Sequence, residues 1–104
     1  MSTAKIILVD SSKLGDFYFT TEPAMLARHL LSLGYYDIKA TIDLLYAGED
    51  ACEEIFDLTN NPMRQGDREV RYGRGRSVSV GDIVEVDGVK YLCRPNGWIE
   101  VEMA

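Results

Sequence analysis

The feature that most constrains the fold is the stretch IVEVDGVKYLC, residues 83–93. Apolar and polar residues alternate on both sides of Asp87 and Gly88, a pair that suits the positive φ angles of a two-residue type I′ turn. The stretch therefore predicts a tight antiparallel hairpin. A second turn, RPNG, and the segment WIEVE follow. Together they predict a C-terminal three-stranded meander.

The residues before this hairpin predict strands and helices in turn. KIILVD is typical of a buried strand, FYFTT of a short second strand, and YYDIKATIDLLY of a half-buried strand with one apolar face. TTEPAMLARHLLSLG predicts a helix with Thr21 as N-cap, Pro23 in the first turn and Gly34 at the C-terminal end. GEDACEEIFDLTNNP predicts a second helix that ends before Pro62 and has Phe56 on its apolar face.

These elements predict a single α+β domain over residues 1–104, with two helices packed on a mostly antiparallel sheet. A chain of 104 residues is long enough for one compact domain. Hydrophobic residues make up 46% of the chain and charged residues 27%, values that are typical of globular proteins with a real core.

The charge of the chain is segregated. The formal net charge is −6, which argues against nonspecific attraction of the whole protein to nucleic acid or to anionic membranes. Residues 63–76, MRQGDREVRYGRGR, contain five arginines and two carboxylates, hence a local charge of +3. We therefore expect an exposed Arg/Gly-rich loop on an acidic body.

The cysteines and the single histidine give no sign of a metal or cofactor site. Cys52 and Cys93 are isolated, and His29 has no second histidine with which to complete a zinc site. The first apolar run, IILV, is too short for a signal peptide or a membrane span. We expect no cofactor, no metal, no membrane contact, and free thiols in a reducing cytoplasm, with a disulfide between the two cysteines left open.

The candidate catalytic groups have simpler structural interpretations. His29 lies inside the first predicted helix without a nucleophile motif beside it. Asp82, in S-V-G-D, fits a turn whose side chains bond nearby amides better than it fits a base or a ligand. Trp98 is typical of a lid on the core, although it could also stack on a base. The sequence predicts no catalytic residues and no enzyme activity.

The last half of the chain resembles small proteins of phages, plasmids and other mobile elements, including the YodL-like domains and related families of unknown function. These proteins share an R-S-x-S-V-G-D segment, a hairpin, a Gly-aromatic pair and a last strand. The matching residues here are Arg76, Ser77, Ser79, Val80, Gly81, Asp82, Gly97 and Trp98, and upstream Phe56, Leu58, Thr59 and Asn60. The resemblance implies a mobile-element accessory protein in a bacterial cytoplasm and brings no known chemistry.

The leading functional hypothesis is a non-enzymatic accessory protein that binds a host or defence protein. The expected contact surface is acidic and rich in tyrosine, because aromatic side chains anchor interfaces at a low entropic cost. Its candidate residues are Tyr18, Tyr35, Tyr36 and Tyr46.

Two alternatives come from other functional classes. The Arg/Gly loop could bind nucleic acid by charge and stacking, with Arg68, Arg71, Tyr72, Arg74 and Arg76. The loop could equally be a connection whose arginines pair with the acidic helix. A small structural component that self-associates is the third hypothesis.

Overall fold

The computed structural model describes residues 1–102, and within them the chain forms a five-stranded antiparallel sheet with helices on both faces. The strand order is β2-β1-β3-β4-β5. The strands are β1 (Ser2–Val9), β2 (Tyr36–Leu44), β3 (Ile83–Val86), β4 (Val89–Arg94) and β5 (Gly97–Val101). The helices are α1 (Pro23–Ser32), α2 (Gly48–Asn60), α3 (Gln65–Arg71), and two 3₁₀ helices, Ser11–Tyr18 and Pro62–Arg64.

The sheet separates two hydrophobic cores. Alternate residues of a strand point to opposite faces, so Ile6 packs on one side with Ile55 and Leu58 of α2. Its neighbour Ile7 packs on the other side with Leu30 of α1. Burial on both faces explains why β1 contains a continuous apolar run rather than an alternating one.

The C-terminal half follows the predicted meander. Asp87 and Gly88 have φ angles of 49° and 89°, as a type I′ turn requires, and Val86 pairs with Val89 across it. Strand β3 also pairs with β1, which makes the meander part of the larger sheet. The α+β class is therefore confirmed, although the structure contains more helical segments than the two predicted. Residues 103 and 104 of the predicted domain lie outside the described part.

Strand β2 departs from the predicted single apolar face. Ile6 pairs with Ala40, but Ile7 pairs with Ile38, so Lys39 is an extra residue that reverses the alternation. Tyr36 consequently packs on the α1 side of the sheet, whereas Ala40 packs on the α2 side. Ile38 is left 63% exposed.

The prediction of a strand at FYFTT is wrong. Phe17 and Tyr18 end the 3₁₀ helix Ser11–Tyr18. Its first turn is set by Asp10, whose carboxylate accepts a hydrogen bond from the Ser12 amide at 2.9 Å. Such local side-chain bonds favour turns over extended backbone.

The ends of α1 are close to the prediction. Pro23 is the first helical residue, and Gly34 follows the helix with a φ of 82°. The N-cap is Glu22 rather than Thr21. No side chain among the described residues caps the N-terminus of the helix, but Thr20 Oγ1 accepts a hydrogen bond from the Glu22 amide at 3.1 Å and so forms a turn just before it.

The prediction of an exposed loop over residues 63–76 is wrong for half of that segment, because residues 65–71 form α3. This helix has no apolar stripe, and it is held by charge instead. Arg64, just before it, binds Glu54 and Asp57 of α2 at 2.8 and 2.9 Å. Within α3, Asp67 and Arg71 form an i, i+4 ion pair.

Candidate protein-binding surface

Residues 1–102 contain no helix that combines the length and apolar character needed to cross a membrane. Over the same residues, no group of three or more His, Cys, Asp or Glu side chains lies close enough together to hold a metal ion. Cys52 and Cys93 are free thiols buried in the core on the α2 side, and burial raises the pKa of each to about 12.

The R-S-x-S-V-G-D segment forms an ion pair between a buried carboxylate and a partly exposed guanidinium, which we call the Arg76–Asp82 cluster. The Asp82 side chain is fully buried, and its carboxylate accepts hydrogen bonds from the amides of Val9 and Ser79 at 2.9 and 2.7 Å. The Arg76 guanidinium donates two more, at 2.6 and 2.8 Å. Asp82 therefore acts as a structural acceptor that ties this turn to the end of β1.

Tyr36 and Gly81 lie beside the Arg76–Asp82 cluster, at the turn that precedes Asp82. Gly81 has a φ of 102°, and a Cβ there would lie 2.6 Å from the Phe17 ring, so a side chain would collide with the α1-side core. The Tyr36 hydroxyl donates a hydrogen bond to the Gly81 carbonyl at 2.7 Å. Burial, followed by the charge of Asp82, raises the pKa of Tyr36. Tyr36 thus supports the turn and presents little surface to a partner.

The centre of the basic segment is also used internally. Tyr72 is only 4% exposed, and its hydroxyl donates to the Arg76 carbonyl at 2.5 Å. Arg68 lies 5.3 Å from the Tyr72 ring centroid and donates to Thr59 O at 2.8 Å and Ser77 Oγ at 3.0 Å. Stacking of Tyr72 on a base would require it to leave the core.

The remaining arginines differ in exposure. Arg71 donates to the Asp43 carbonyl at 3.1 Å and lies 3.7 Å from a Glu54 oxygen. Arg74 is exposed. The structure therefore brings Arg68, Tyr72 and Arg76 together as structural side chains rather than as an open binding loop. This arrangement disfavours the nucleic-acid hypothesis.

The four predicted tyrosines do not form one patch by themselves. Tyr18 and Tyr46 are 63% and 51% exposed. Tyr35 is half-buried, with the Lys13 ammonium 4.7 Å from its ring centroid. Tyr36 begins β2 and Tyr46 lies two residues past its end, so the length of the strand separates them by roughly 25 Å at the usual rise of an extended strand.

A chain of adjoining clefts nevertheless links Tyr46 with Tyr18. The first is an open groove of about 420 Å³ along α2, lined by Tyr46, Asp50, Glu53, Glu54 and Asp57. Glu53 also lines a second cleft of about 150 Å³, together with Phe56, Trp98, Arg94 and Pro95. Arg94 and Pro95 in turn border a third cleft of about 390 Å³, which reaches Tyr18 and Pro23.

We call this continuous region the acidic–aromatic surface and define it by seven residues: Tyr18, Tyr46, Asp50, Glu53, Phe56, Pro95 and Trp98. Phe56 and Trp98 lie at its centre, edge to face, with ring centroids 6.4 Å apart. The Trp98 indole N–H donates to Glu53 Oε1 at 2.7 Å. Trp98 packs against the core, as a lid would, and also lines the cleft.

Sequence reasoning placed neither Glu53 nor Phe56 in a candidate site. Phe56 was expected on the apolar face of α2, yet it is 37% exposed. Its spacing of three from Glu53 does place both on one side of the helix. That spacing could have shown that the two side chains are neighbours on the helix. Their contact with Trp98 could not be predicted, because Trp98 is 42 or more residues away in the chain.

The carboxylates of α2 differ in how far they are neutralised. Glu54 and Asp57 are paired with Arg64, and hydrogen bonding to Arg64 lowers the pKa of Asp57. Glu49, Asp50 and Glu53 form no ion pair within residues 1–102. The carboxylates in the half of α2 nearest Tyr46 therefore have no cationic partner within residues 1–102.

The Arg76–Asp82 cluster gives Arg76, Ser79 and Asp82 of the R-S-x-S-V-G-D segment a structural role. The resemblance to YodL-like proteins stays a prediction. No family model matches this chain, and neither a curated protein nor a solved structure matches it.

Proposed function

We propose that this chain is a non-enzymatic accessory protein that binds another protein through the acidic–aromatic surface. The observation that carries the proposal is the continuity of the clefts from Tyr46, over Phe56 and Trp98, to Tyr18. The resemblance of the last half of the chain suggests the context: a phage or mobile element, a bacterial cytoplasm, and a host or defence protein as target.

The composition of the surface supports protein binding. Binding energy at interfaces concentrates in central aromatic side chains surrounded by a polar rim. Phe56 and Trp98 occupy the centre, while Asp50 and Tyr46 lie toward one end. Because Glu49, Asp50 and Glu53 form no ion pair within residues 1–102, the complementary partner surface is basic.

The test is capture of bound protein from a nuclease-treated bacterial lysate, at about 50 and about 200 mM salt, the range over which phosphate contacts weaken most. We expect the wild type to retain a protein at both salt concentrations. The double variant Tyr46→Ser/Glu53→Gln should lose it. The matched control is Leu33→Ser at the C-terminal end of α1, because Leu33 is 57% exposed and lines none of the three clefts.

Three results would contradict the proposal. Equal capture by the double variant and the wild type would show that the partner binds elsewhere. Nucleic acid recovered at low salt, and lost on Arg74→Ala, would favour the nucleic-acid alternative. A mass that rises with protein concentration, without any captured partner, would favour self-association.

A further inference from the structure

Strand β5 ends the sheet, and its outer edge has no strand paired with it within residues 1–102. Cys93 uses both backbone groups toward β3: its amide donates to the Asp82 carbonyl at 2.9 Å, and its carbonyl accepts from the Gly81 amide at 3.0 Å. Trp98 pairs opposite Cys93. Because both backbone groups of Cys93 point toward β3, Cys93 and Trp98 form a non-hydrogen-bonded pair of the antiparallel ladder. The N–H and C=O of Trp98 therefore point away from β4, to the outer edge of the sheet.

The same alternation directs the backbone groups of Glu100 and Glu102 outward. A contact agrees with this assignment, since Arg28 Nη1 reaches the Glu102 carbonyl at 3.4 Å. The outer edge of β5 therefore presents the amide and carbonyl of Trp98 and Glu100. Unpaired edge groups of this kind are a template for another extended chain.

The charge at this edge selects what kind of chain can pair with it. Trp98 packs on the α2 side, while Ile99 and Val101 pack on the α1 side, so alternation places Glu100 on the same side as Trp98. Glu53 lies against Trp98 on that side. An added strand therefore meets carboxylates of Glu53 and Glu100 next to an aromatic ring.

A second copy of this chain fits the edge poorly. Two β5 strands paired antiparallel would bring Glu100 and Glu102 of both copies close together, and like charges in facing strands are destabilising. A basic extended segment has the complementary charge. A cationic side chain would also be attracted to the Trp98 ring.

We propose that β5 takes up an extended, basic segment of the bound protein as a sixth strand, with a Lys or Arg side chain lying over Trp98 and toward Glu53. This inference rests on the proposed function, because it names how the partner binds. Backbone hydrogen bonds to Trp98 and Glu100 supply affinity. The carboxylates of Glu53 and Glu100 and the Trp98 ring attract the cationic side chain, while Arg94 borders the same cleft of about 150 Å³.

The first test uses a synthetic probe, a blocked peptide of alternating Lys and Thr with about nine residues, which is longer than a typical edge strand. Amide hydrogen exchange is followed by NMR with the full-length protein. With the peptide at saturation, the amides of Trp98 and Glu100 should exchange at least about tenfold more slowly. An alternating Glu–Thr peptide and a Lys–Thr peptide with proline at its centre are the controls.

Unchanged exchange at Trp98 and Glu100 would overturn strand addition, whether the peptide binds on α2 instead or does not bind. Equal protection by the proline-containing peptide would overturn it too, since proline cannot donate to the ladder. Protection by the Glu–Thr peptide would overturn the basic character of the partner.

The second test separates this inference from the proposed function. Glu100→Pro removes the outward N–H without breaking a bond to β4, and the matched control Glu100→Thr keeps it. We expect the Pro variant to lose the captured partner and the Thr variant to retain it. Retention by the Pro variant, while Tyr46→Ser/Glu53→Gln loses the partner, would leave the proposed function intact and overturn strand addition. If Glu100→Pro does not fold, the peptide test decides.

Discussion

At the scale of single residues, Asp82 is the position where we expect a substitution to cost the most stability. Its carboxylate is fully buried and accepts four hydrogen bonds, two of them from Arg76. We expect Asp82→Asn to lower the free energy of unfolding by about 3 kcal/mol, because it leaves the Arg76 guanidinium without its counter-charge. Urea unfolding monitored by Trp98 fluorescence measures this change.

The control for this prediction is Asp16→Asn, which removes an exposed carboxylate and should change the unfolding free energy by less than about 0.5 kcal/mol. If both variants lost a similar, small amount of unfolding free energy, the Arg76–Asp82 cluster would contribute little to the stability of the fold and would be dispensable for it.

The sequence predicted part of this cluster and not the rest. Ser and Asp beside Gly81 predict a turn with local side-chain bonds, and Ser79 does donate its amide to Asp82. The Val9 amide, 73 residues away from Asp82 in the chain, also donates to it. No local pattern could identify that partner, because it depends on the pairing of β1 with β3.

At the scale of elements, the connection from α2 to β3 is held by Arg68. Its guanidinium bonds the Thr59 carbonyl, Ser77 Oγ and the Gly75 carbonyl. We expect Arg68→Ala to lower the free energy of unfolding by about 2 kcal/mol, since several partly buried acceptors lose a charged donor. The matched control is Arg74→Ala, at an exposed position, which should cost less than about 0.5 kcal/mol.

Thermal unfolding of the two variants side by side checks this prediction. Equal stability would contradict the view that Arg68 is structural and would return it to the candidates for nucleic-acid binding. The expected difference would instead explain why Arg/Gly composition misleads here, since arginines in this segment serve as internal donors.

Elements defined by apolar patterns were predictable, and elements held by polar contacts were not. The hairpin at Asp87 and Gly88, the buried strand β1 and the two main helices all follow from hydrophobic spacing and turn residues. Helix α3 has no apolar stripe and depends on Arg64 and Arg71 meeting carboxylates. The bulge at Lys39 also lies beyond local patterns, because it appears only in the pairing of β2 with β1.

At the scale of the whole molecule, the sheet divides the surface into two kinds of face. Helix α1 covers one side, and α2 covers the other with its carboxylates turned outward. The acidic–aromatic surface and the open edge of β5 meet at Trp98. A partner of the kind proposed would contact a helix face and a strand edge at once.

The buried thiols give the whole molecule a pH dependence with a definite sign. Burial raises the pKa of Cys52 and Cys93 to about 12, whereas unfolded thiols titrate at about 8.5. Above about pH 8.5 the unfolded chain therefore releases protons that the folded chain keeps, so stability falls as pH rises. Each thiol should contribute a loss of up to about 1.4 kcal/mol per pH unit in this range.

We therefore expect the free energy of unfolding to be about 3 kcal/mol lower at about pH 9.5 than at about pH 7, in urea titrations with a reducing agent present. The variant Cys93→Ala should show about half of this pH dependence, whatever its stability at neutral pH, because one of the two titrating thiols is gone. If the free energy of unfolding of that variant fell with pH as steeply as that of the wild type, the loss of stability at alkaline pH would come from other groups. Tyr36 would be the first of these to examine, since its pKa is also raised by burial.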